Sequence, residues 1–204
     1  MKLLAIESSG LVASAAVFAD DTIVAEFTVN NKQTHSQTLL PMIDQVVTMS
    51  GIDLKEIDAI ATTSGPGSFT GLRIGAATAK GLGLALHKPI VPITTLEALA
   101  FRLAGREGNI CPMMDARRNQ VYAGVYRVGD MLLECVTGQK AVSIEDYIAE
   151  LNDLGDPVTV LGDGVPVHRE ALQQGLNVAW QEAPAHMNRQ SAASVAVLGA
   201  RYYD

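Results

Sequence analysis

Two carboxylates, Glu7 and Asp115, each end an apolar run and open a tight turn, and they lie at an offset of 108 residues. A carboxylate in such a place either organises a divalent cation and its water or accepts hydrogen bonds from the amides of its own turn, and residue type leaves both readings open. A second candidate is Ser64-Gly65-Pro66-Gly67-Ser68-Phe69-Thr70, where an apolar strand passes through a sharp turn into a helix. Free amides at a helix N-terminus can take an anion, and Ser68 and Thr70 add hydroxyls. The loop lacks the Gly-Lys-Ser/Thr of a Walker phosphate loop, so an ordinary strand-to-helix turn with an N-cap competes with the anion reading. Arg117-Arg118 is the densest basic pair, available for salt bridges to acidic loops or for a ligand's charge. His35, His87, His168 and His186 are scattered without ligand spacing, and Cys111 and Cys135 lack any Cys-x-x-Cys pairing; no metal and no disulfide is expected.

The elements that must position these residues follow from hydrophobic periodicity. Leu3 to Ser8, Ala13 to Ala19 and Thr22 to Val29 read as a meander of three short strands, with Asp20-Asp21 turning the second into the third. A helix from about His35 to Met49 carries Leu39, Leu40, Ile43, Val46 and Val47 at helical period and closes at Gly51. Asp58 to Ser64 is a strand leading into the loop, and a Gly/Ala-rich helix runs from Phe69 to Leu86. Ile90 to Ile93 is a strand followed by a helix Leu96 to Leu103, opened by the capping box Thr94-x-x-Glu97.

The second half repeats the first. At the same offset Glu7 falls on Asp115, Val17-Phe18 on Val125-Tyr126, and Val24-Ala25-Glu26 on Leu132-Leu133-Glu134, with the Gly129-Asp130 turn beside the Asp20-Asp21 one. Ile110 to Ala116, Val121 to Val128 and Met131 to Thr137 form a second meander, followed by helix Ile144 to Leu151, strand Val158 to Leu161, the turn Gly162-Asp163-Gly164, a helix near Val167 to Gln174 and a last helix from Ser191. The expected architecture is α/β, a duplication of βββαβα units, with lobes at 1–104 and 105–204 divided in the Gly105 to Asn109 stretch.

Composition narrows the function. With 204 residues, 48% hydrophobic and 18% charged, the chain folds around proper cores and is not disordered. Its net charge of -7 disfavours free-standing binding to a nucleic-acid backbone, which needs a cationic face, so any RNA substrate must be held by a partner. The opening MKLLAIESSG is too short and too soon broken by Glu7 for a secretory signal, and the apolar stretch from Ile74 to Leu86 carries Lys80 and is too short to span a bilayer; a cytoplasmic protein without membrane contact is expected.

Two facing βββαβα lobes resemble the actin, sugar kinase and Hsp70 superfamily (ribonuclease H-like), in which nucleotide lies between the lobes. More specifically, Leu4-Ala5-Ile6-Glu7-Ser8-Ser9, His35-Ser36-Gln37-Thr38-Leu39-Leu40-Pro41, Ser64 to Gly75 and Met114-Asp115-Ala116-Arg117-Arg118-Asn119 are similar to the TsaB (YeaZ) family over nearly the whole chain. The family's Pro-x-Tyr-x-Arg segment is not found. The resemblance implies a non-catalytic scaffold for the bacterial machinery that installs threonylcarbamoyl on N6 of adenosine 37 in tRNAs reading ANN codons. It implies pairing with a TsaD-type catalytic subunit, a TsaE-type ATPase in a larger complex, a homodimer in isolation, and contact with tRNA only through the complex.

Residue by residue, it implies a degenerate nucleotide cleft at Glu7, Ser8, Ser9, Gly65, Pro66, Gly67, Ser68, Asp115, Arg117 and Arg118. Superfamily enzymes put a carboxylate in each first turn, but Ser-Ser-Gly-Leu and Ala-Arg-Arg-Asn are not the glycine-rich turns that let amides wrap phosphates. No intrinsic cofactor is expected, ATP or ADP binding being weak and mainly in the complex. The His-x-x-x-His pair of TsaD is replaced here by Thr95-Leu96-Glu97-Ala98-Leu99, which removes two nitrogen ligands. The implied partner interface is Thr38, Leu39, Met42, Val46, Leu72, Arg73, Gly75, Ala76, Ala79 and Lys80. Gly71, Gly75, Ala79 and Gly83 make a small-residue stripe at every fourth position, which suits close approach of a partner helix or of the protein's own sheet equally well. The alternative function is a free-standing nucleotide-dependent transferase or hydrolase of the same fold.

Overall fold

The structure is a computed structural model and describes residues 1–31, 34–128 and 133–203. The chain forms two compact units: Met1–Ala98 together with Gln190–Asp204, and Leu99–Arg189. In the first, β1 (Lys2–Glu7), β2 (Ala13–Ala19) and β3 (Thr22–Val29) form the antiparallel meander; α1 (His35–Ser50) then leads to β4 (Ala59–Gly65), α2 (Phe69–Leu86), β5 (Ile90–Thr94) and the start of α3 (Thr95–Phe101). The sheet order is β3-β2-β1-β4-β5, with β4 parallel to β1 and β5 parallel to β4.

The second unit has the same plan. Its strands β6 (Asn109–Arg117), β7 (Gln120–Val128) and β8 (Leu133–Ser143) form the meander, followed by α4 (Ile144–Leu154), β9 (Val158–Leu161), α5 (Gly164–Gly175) and the short β10 (Trp180–Glu182). The order β10-β9-β6-β7-β8 matches the first sheet strand for strand, so the duplication read from the sequence is present in topology. The expected repeat omitted β10; at three residues, Trp180 to Glu182 is too short to show a period. The expected turn at Gly129-Asp130 and the residues Met131 and Leu132 lie outside the described residues.

Strands β1 and β2 are apolar on both faces because both faces are covered. On one side Leu4, Ile6, Ala15 and Val17 pack with Leu39, Met42, Ile43 and Val46 of α1 and Ala79 of α2. On the other lies α6 (Ala192–Tyr202), so close that a β-carbon at Gly199 would come within 2.6 Å of the Ala61 β-carbon. The expected division at 104/105 is therefore corrected at the C-terminus: the segment from Gln190 onward belongs to the first unit. Its attachment is polar as well as apolar. The Ser191 hydroxyl donates to Glu26 at 2.5 Å, the Ala193 amide donates to the same oxygen at 3.2 Å, and the Ala192 amide donates to Ser14 at 3.0 Å. In the second unit Cys111, Met113, Val121, Ala123 and Val125 pack with Ile144, Tyr147, Leu151 and Leu172. Burial pushes the Cys111 thiol up to about 12, which makes it an inert core residue. Among the described residues no helix is long and apolar enough to cross a membrane.

Candidate functional site

Glu7 ends β1 with no exposure to solvent. Its Oε1 accepts the Ser9 amide at 2.6 Å and the Ser9 hydroxyl at 2.5 Å, while Oε2 has no hydrogen-bond partner among the described residues. Burial raises the carboxyl to about 7, against the opposing hydrogen bonds of Ser9 and Thr63. The next two residues form the seat of α2. Ser8 Oγ donates to the Gly71 carbonyl at 2.9 Å, and the Ser9 carbonyl accepts the Ser68 amide at 2.7 Å.

The Gly65 to Ser68 loop is pressed against this turn. Gly67 has φ of 154°, and a β-carbon there would overlap the Ser9 carbonyl oxygen. Gly65 has φ of 113°, a second position that favours glycine. Ser68 Oγ caps the helix by accepting the Gly71 amide at 3.3 Å. The loop forms a strand-to-helix turn with an N-cap, and the Ser68 amide is taken up by the Ser9 carbonyl. Pro66 follows Gly65 through a cis peptide and is half-buried.

The small-residue stripe of α2 faces inward. Gly71, Gly75, Ala79 and Gly83 are its buried residues, and a β-carbon at Gly71 or Gly75 would overlap Ser8. Of the residues expected at a partner interface, Gly75 and Ala79 are corrected to an internal packing face, and Leu39, Met42 and Val46 to the core. Thr38, Leu72 and Ala76 are half-buried, and Arg73 and Lys80 are exposed. The opposite face of α2 carries Phe69, Arg73, Ala77, Lys80 and Leu84, recurring at helical spacing, with Phe69 68% and Leu84 78% exposed. Arg73 lies over the Phe69 ring at 3.9 Å from its centroid. Arg73 and Lys80 of this stripe were expected at the interface from the sequence, whereas Phe69, Ala77 and Leu84 were not, although their helical spacing is legible there. Also unforeseen is a cleft of about 780 Å³ where α1 and α2 begin, lined by Gly10, Asn30, Thr34, His35, Ser68 and Thr70 among others. Its wall is fixed by His35, whose Nε2 donates to the Gly10 carbonyl at 2.8 Å.

In the second unit Asp115 accepts the Arg117 amide at 2.9 Å, and its own amide donates to Asp163 at 3.2 Å. His168 Nε2 stands 3.9 Å from the Asp115 carboxylate, in a ring that is buried at a non-helical kink of α5. Burial raises the Asp163 carboxyl, opposed by the Asp115 amide and Arg189. Sequence reading found Asp115 but not Asp163 and His168, because only the β9–α5 connection brings them beside it. Gly162, with φ of 111°, makes that turn possible against the Met113 carbonyl. Arg117 and Arg118 are exposed, both with left-handed backbone in the turn they share with Asn119. Thr95 and Leu99 are fully buried. Among the described residues no group of three or more His, Cys, Asp or Glu side chains could hold a metal ion.

Two sheets of matching order, the central strand of the first ending in Glu7 and that of the second carrying Asp115 two residues before its end, give a duplicated α/β fold of the actin-like ATPase kind. A ROK hexokinase from Thermus thermophilus shares this fold with a TM-score of 0.53 at 15% identity, covering 97% of this chain and 98% of the hexokinase. The family model described as TsaD, tRNA N6-adenosine threonylcarbamoyltransferase, matches residues 22–202. The tRNA threonylcarbamoyladenosine biosynthesis protein TsaB of Bacillus subtilis is 32% identical over 199 residues, 98% of this chain and 87% of the relative. YeaZ from Pseudomonas aeruginosa superposes with a TM-score of 0.84 at 25% identity, covering 99% of this chain and 92% of the other. The chain belongs to the TsaB (YeaZ) family, within the wider kinship of the TsaD transferases.

Proposed function

We propose that this chain serves tRNA threonylcarbamoyladenosine biosynthesis as a non-catalytic subunit that holds a TsaD-type transferase in its active form, installing threonylcarbamoyl on adenosine 37 of ANN-reading tRNAs. The observation that carries the reading is the outward stripe of α2, in which Phe69 and Leu84 offer apolar anchors and Arg73 and Lys80 fixed positive charge. An exposed aromatic ring stacked under an arginine, with a leucine on the same helix face, offers the kind of anchors that a helix–helix contact uses. The same face serves a homodimer when the partner is absent, and a TsaE-type ATPase joins the larger assembly.

The absence of intrinsic catalysis is supported by the first unit's own hydrogen bonds: the Ser68 amide and the Ser9 carbonyl satisfy each other, and Glu7 spends Oε1 on Ser9. No resident cofactor is proposed, and ATP or ADP would bind appreciably only in the complex. The test is calorimetric titration of the chain with a TsaD-type protein, alongside ATP turnover with and without that protein. Phe69→Asp and Leu84→Asp should each weaken association by at least about tenfold, the loss of one desolvated anchor, with melting temperature unchanged. Undiminished affinity in both variants, or ATP turnover by the isolated chain, overturns the proposal.

A further inference from the structure

The outward stripe of α2 carries charge of one sign. Arg73 and Lys80 are the ionisable side chains among the 18 residues of the helix, which contains no Asp or Glu, and His87 and Lys88 follow it. Both cations are exposed, and neither joins an ion pair among the described residues. The stacking of Arg73 on the Phe69 ring holds its guanidinium on the stripe. At about 100° per residue, Phe69, Arg73, Ala77, Lys80 and Leu84 fall within an arc of about 80°, so one partner helix would touch all of them.

Their spacing is symmetric: Arg73 stands four residues after Phe69, and Lys80 four before Leu84. If two copies pair α2 antiparallel, with Phe69 opposite Leu84 of the second copy, Arg73 therefore falls opposite Lys80 of the second copy, twice. In a parallel two-fold pair each cation meets its own counterpart. Helix α1, packed beside α2, adds a single exposed acid, Asp44, so two copies bring four cations and two carboxylates to the contact. Helices in contact lie about 8 to 10 Å apart, within the screening length of about 10 Å at 0.1 M salt, so this repulsion is felt at physiological ionic strength.

We infer that the stripe selects an acidic helix: a partner presenting two carboxylates seven residues apart, the separation of Arg73 and Lys80, between apolar side chains that meet Phe69 and Leu84. A second copy of this chain is the weaker occupant, and its association strengthens with salt while that of the acidic partner weakens. The apolar anchors supply most of the affinity, and the two cations decide which helix is accepted. The inference rests on the reading of this stripe as a partner face and adds the sign and spacing of the charges that the partner carries.

The probe is the full chain carrying both Arg73→Glu and Lys80→Glu, which keeps Phe69 and Leu84 and sets two carboxylates seven residues apart on the same face. Sedimentation velocity of labelled wild type, titrated with unlabelled wild type or with the double variant, compares the two affinities at about 0.1 M and about 1 M salt, where the screening length is about 10 and 3 Å. Wild type should bind the double variant about tenfold more tightly than it binds itself at the lower salt, about threefold per charge pair, and about twofold or less at the higher. Lys80→Glu alone should give a preference of about threefold. A TsaD-type protein should lose about tenfold in affinity for the double variant and little for Lys80→Arg. The inference is overturned if wild type does not prefer the double variant at the lower salt, if the preference survives at the higher, or if the TsaD-type protein binds the double variant undiminished. Phe69→Asp separates this failure from that of the underlying reading. If it leaves association with the TsaD-type protein intact, the stripe is not the partner face and both fall; if it weakens that association while the double variant binds normally, only the charge rule falls.

Discussion

Replacing Gly71 by Ala opposes two effects of known sign. Alanine is favoured over glycine in a helix by up to about 1 kcal/mol, so at an open helical position the change should stabilise. At Gly71 the new methyl group would overlap the Ser8 carbonyl oxygen and stand 3.3 Å from the Ser8 carbonyl carbon and from His35 Cδ2. Ser8 is backbone in a turn held by Glu7, so it is α2 that must retreat, by on the order of 1 Å for a normal contact. Such overpacking costs typically 1 to 3 kcal/mol, and losing the Ser8 to Gly71 hydrogen bond about 1 kcal/mol more. The net expectation is a loss of about 2 kcal/mol, which for a chain of 204 residues lowers the melting temperature by about 4 to 8 °C. Gly81 supplies the control, since it lies on the same helix with nothing within 4 Å of its β-carbon position. Gly81→Ala should raise the melting temperature by about 1 to 4 °C. Differential scanning calorimetry of both variants reads the result; shifts of the same sign would refute the assignment of the glycine stripe to internal packing.

The Glu7 carboxyl is raised in the folded chain from 4.5 to about 7, so the fold prefers the proton: stability is greatest below about pH 4.5 as far as this group is concerned, falls between there and about 7, and is level above. The total loss is on the order of 3 kcal/mol, and Glu7→Gln should flatten that decline in chemical denaturation at pH 5 and pH 8; an unchanged slope would contradict it. Glu26→Ala removes the acceptor shared by Ser191, Ala193 and Ser14, and should cost about 1 kcal/mol and raise hydrogen exchange first in α6; uniform protection across α6 would count against the latch. In filter binding at about 0.1 M salt the isolated chain, with net charge -7, should bind tRNA no more tightly than about 10 μM, with Arg118→Ala without effect; submicromolar, salt-dependent binding would reveal an RNA surface of its own.

The local patterns of this chain were sufficient for most of its elements, the three-residue β10 excepted, and for its duplication. Alternation and apolar runs located the meanders, Gly51 closes α1 in the left-handed conformation, and Ser143 caps α4 by accepting the Asp146 amide, because these signals act within a few residues. Glu7 and Asp115 were legible as corresponding carboxylates for the same reason, an apolar run stopping at each, although β1 ends at Glu7 whereas β6 continues past Asp115 to Arg117. Other features were decided by contacts distant in sequence. A stripe of small residues favours any close backbone, and nothing within α2 says whether it will be a partner or Ser8, 63 residues before Gly71; only the assembled sheet sets Ser8 beneath that face and turns Phe69 and Leu84 outward. The last helix is a second case. Its sequence gives an amphipathic element without an address, and it joins the first unit because Ser14 and Glu26, more than 160 residues earlier, present the acceptors that its N-terminal amides need. Asp163 and His168 come to Asp115 in the same way, through the parallel pairing of β9 with β6. Periodicity fixes what each segment can bury, and only tertiary packing decides against whom, since apolar burial is non-directional and a hydrogen bond needs its partner in place.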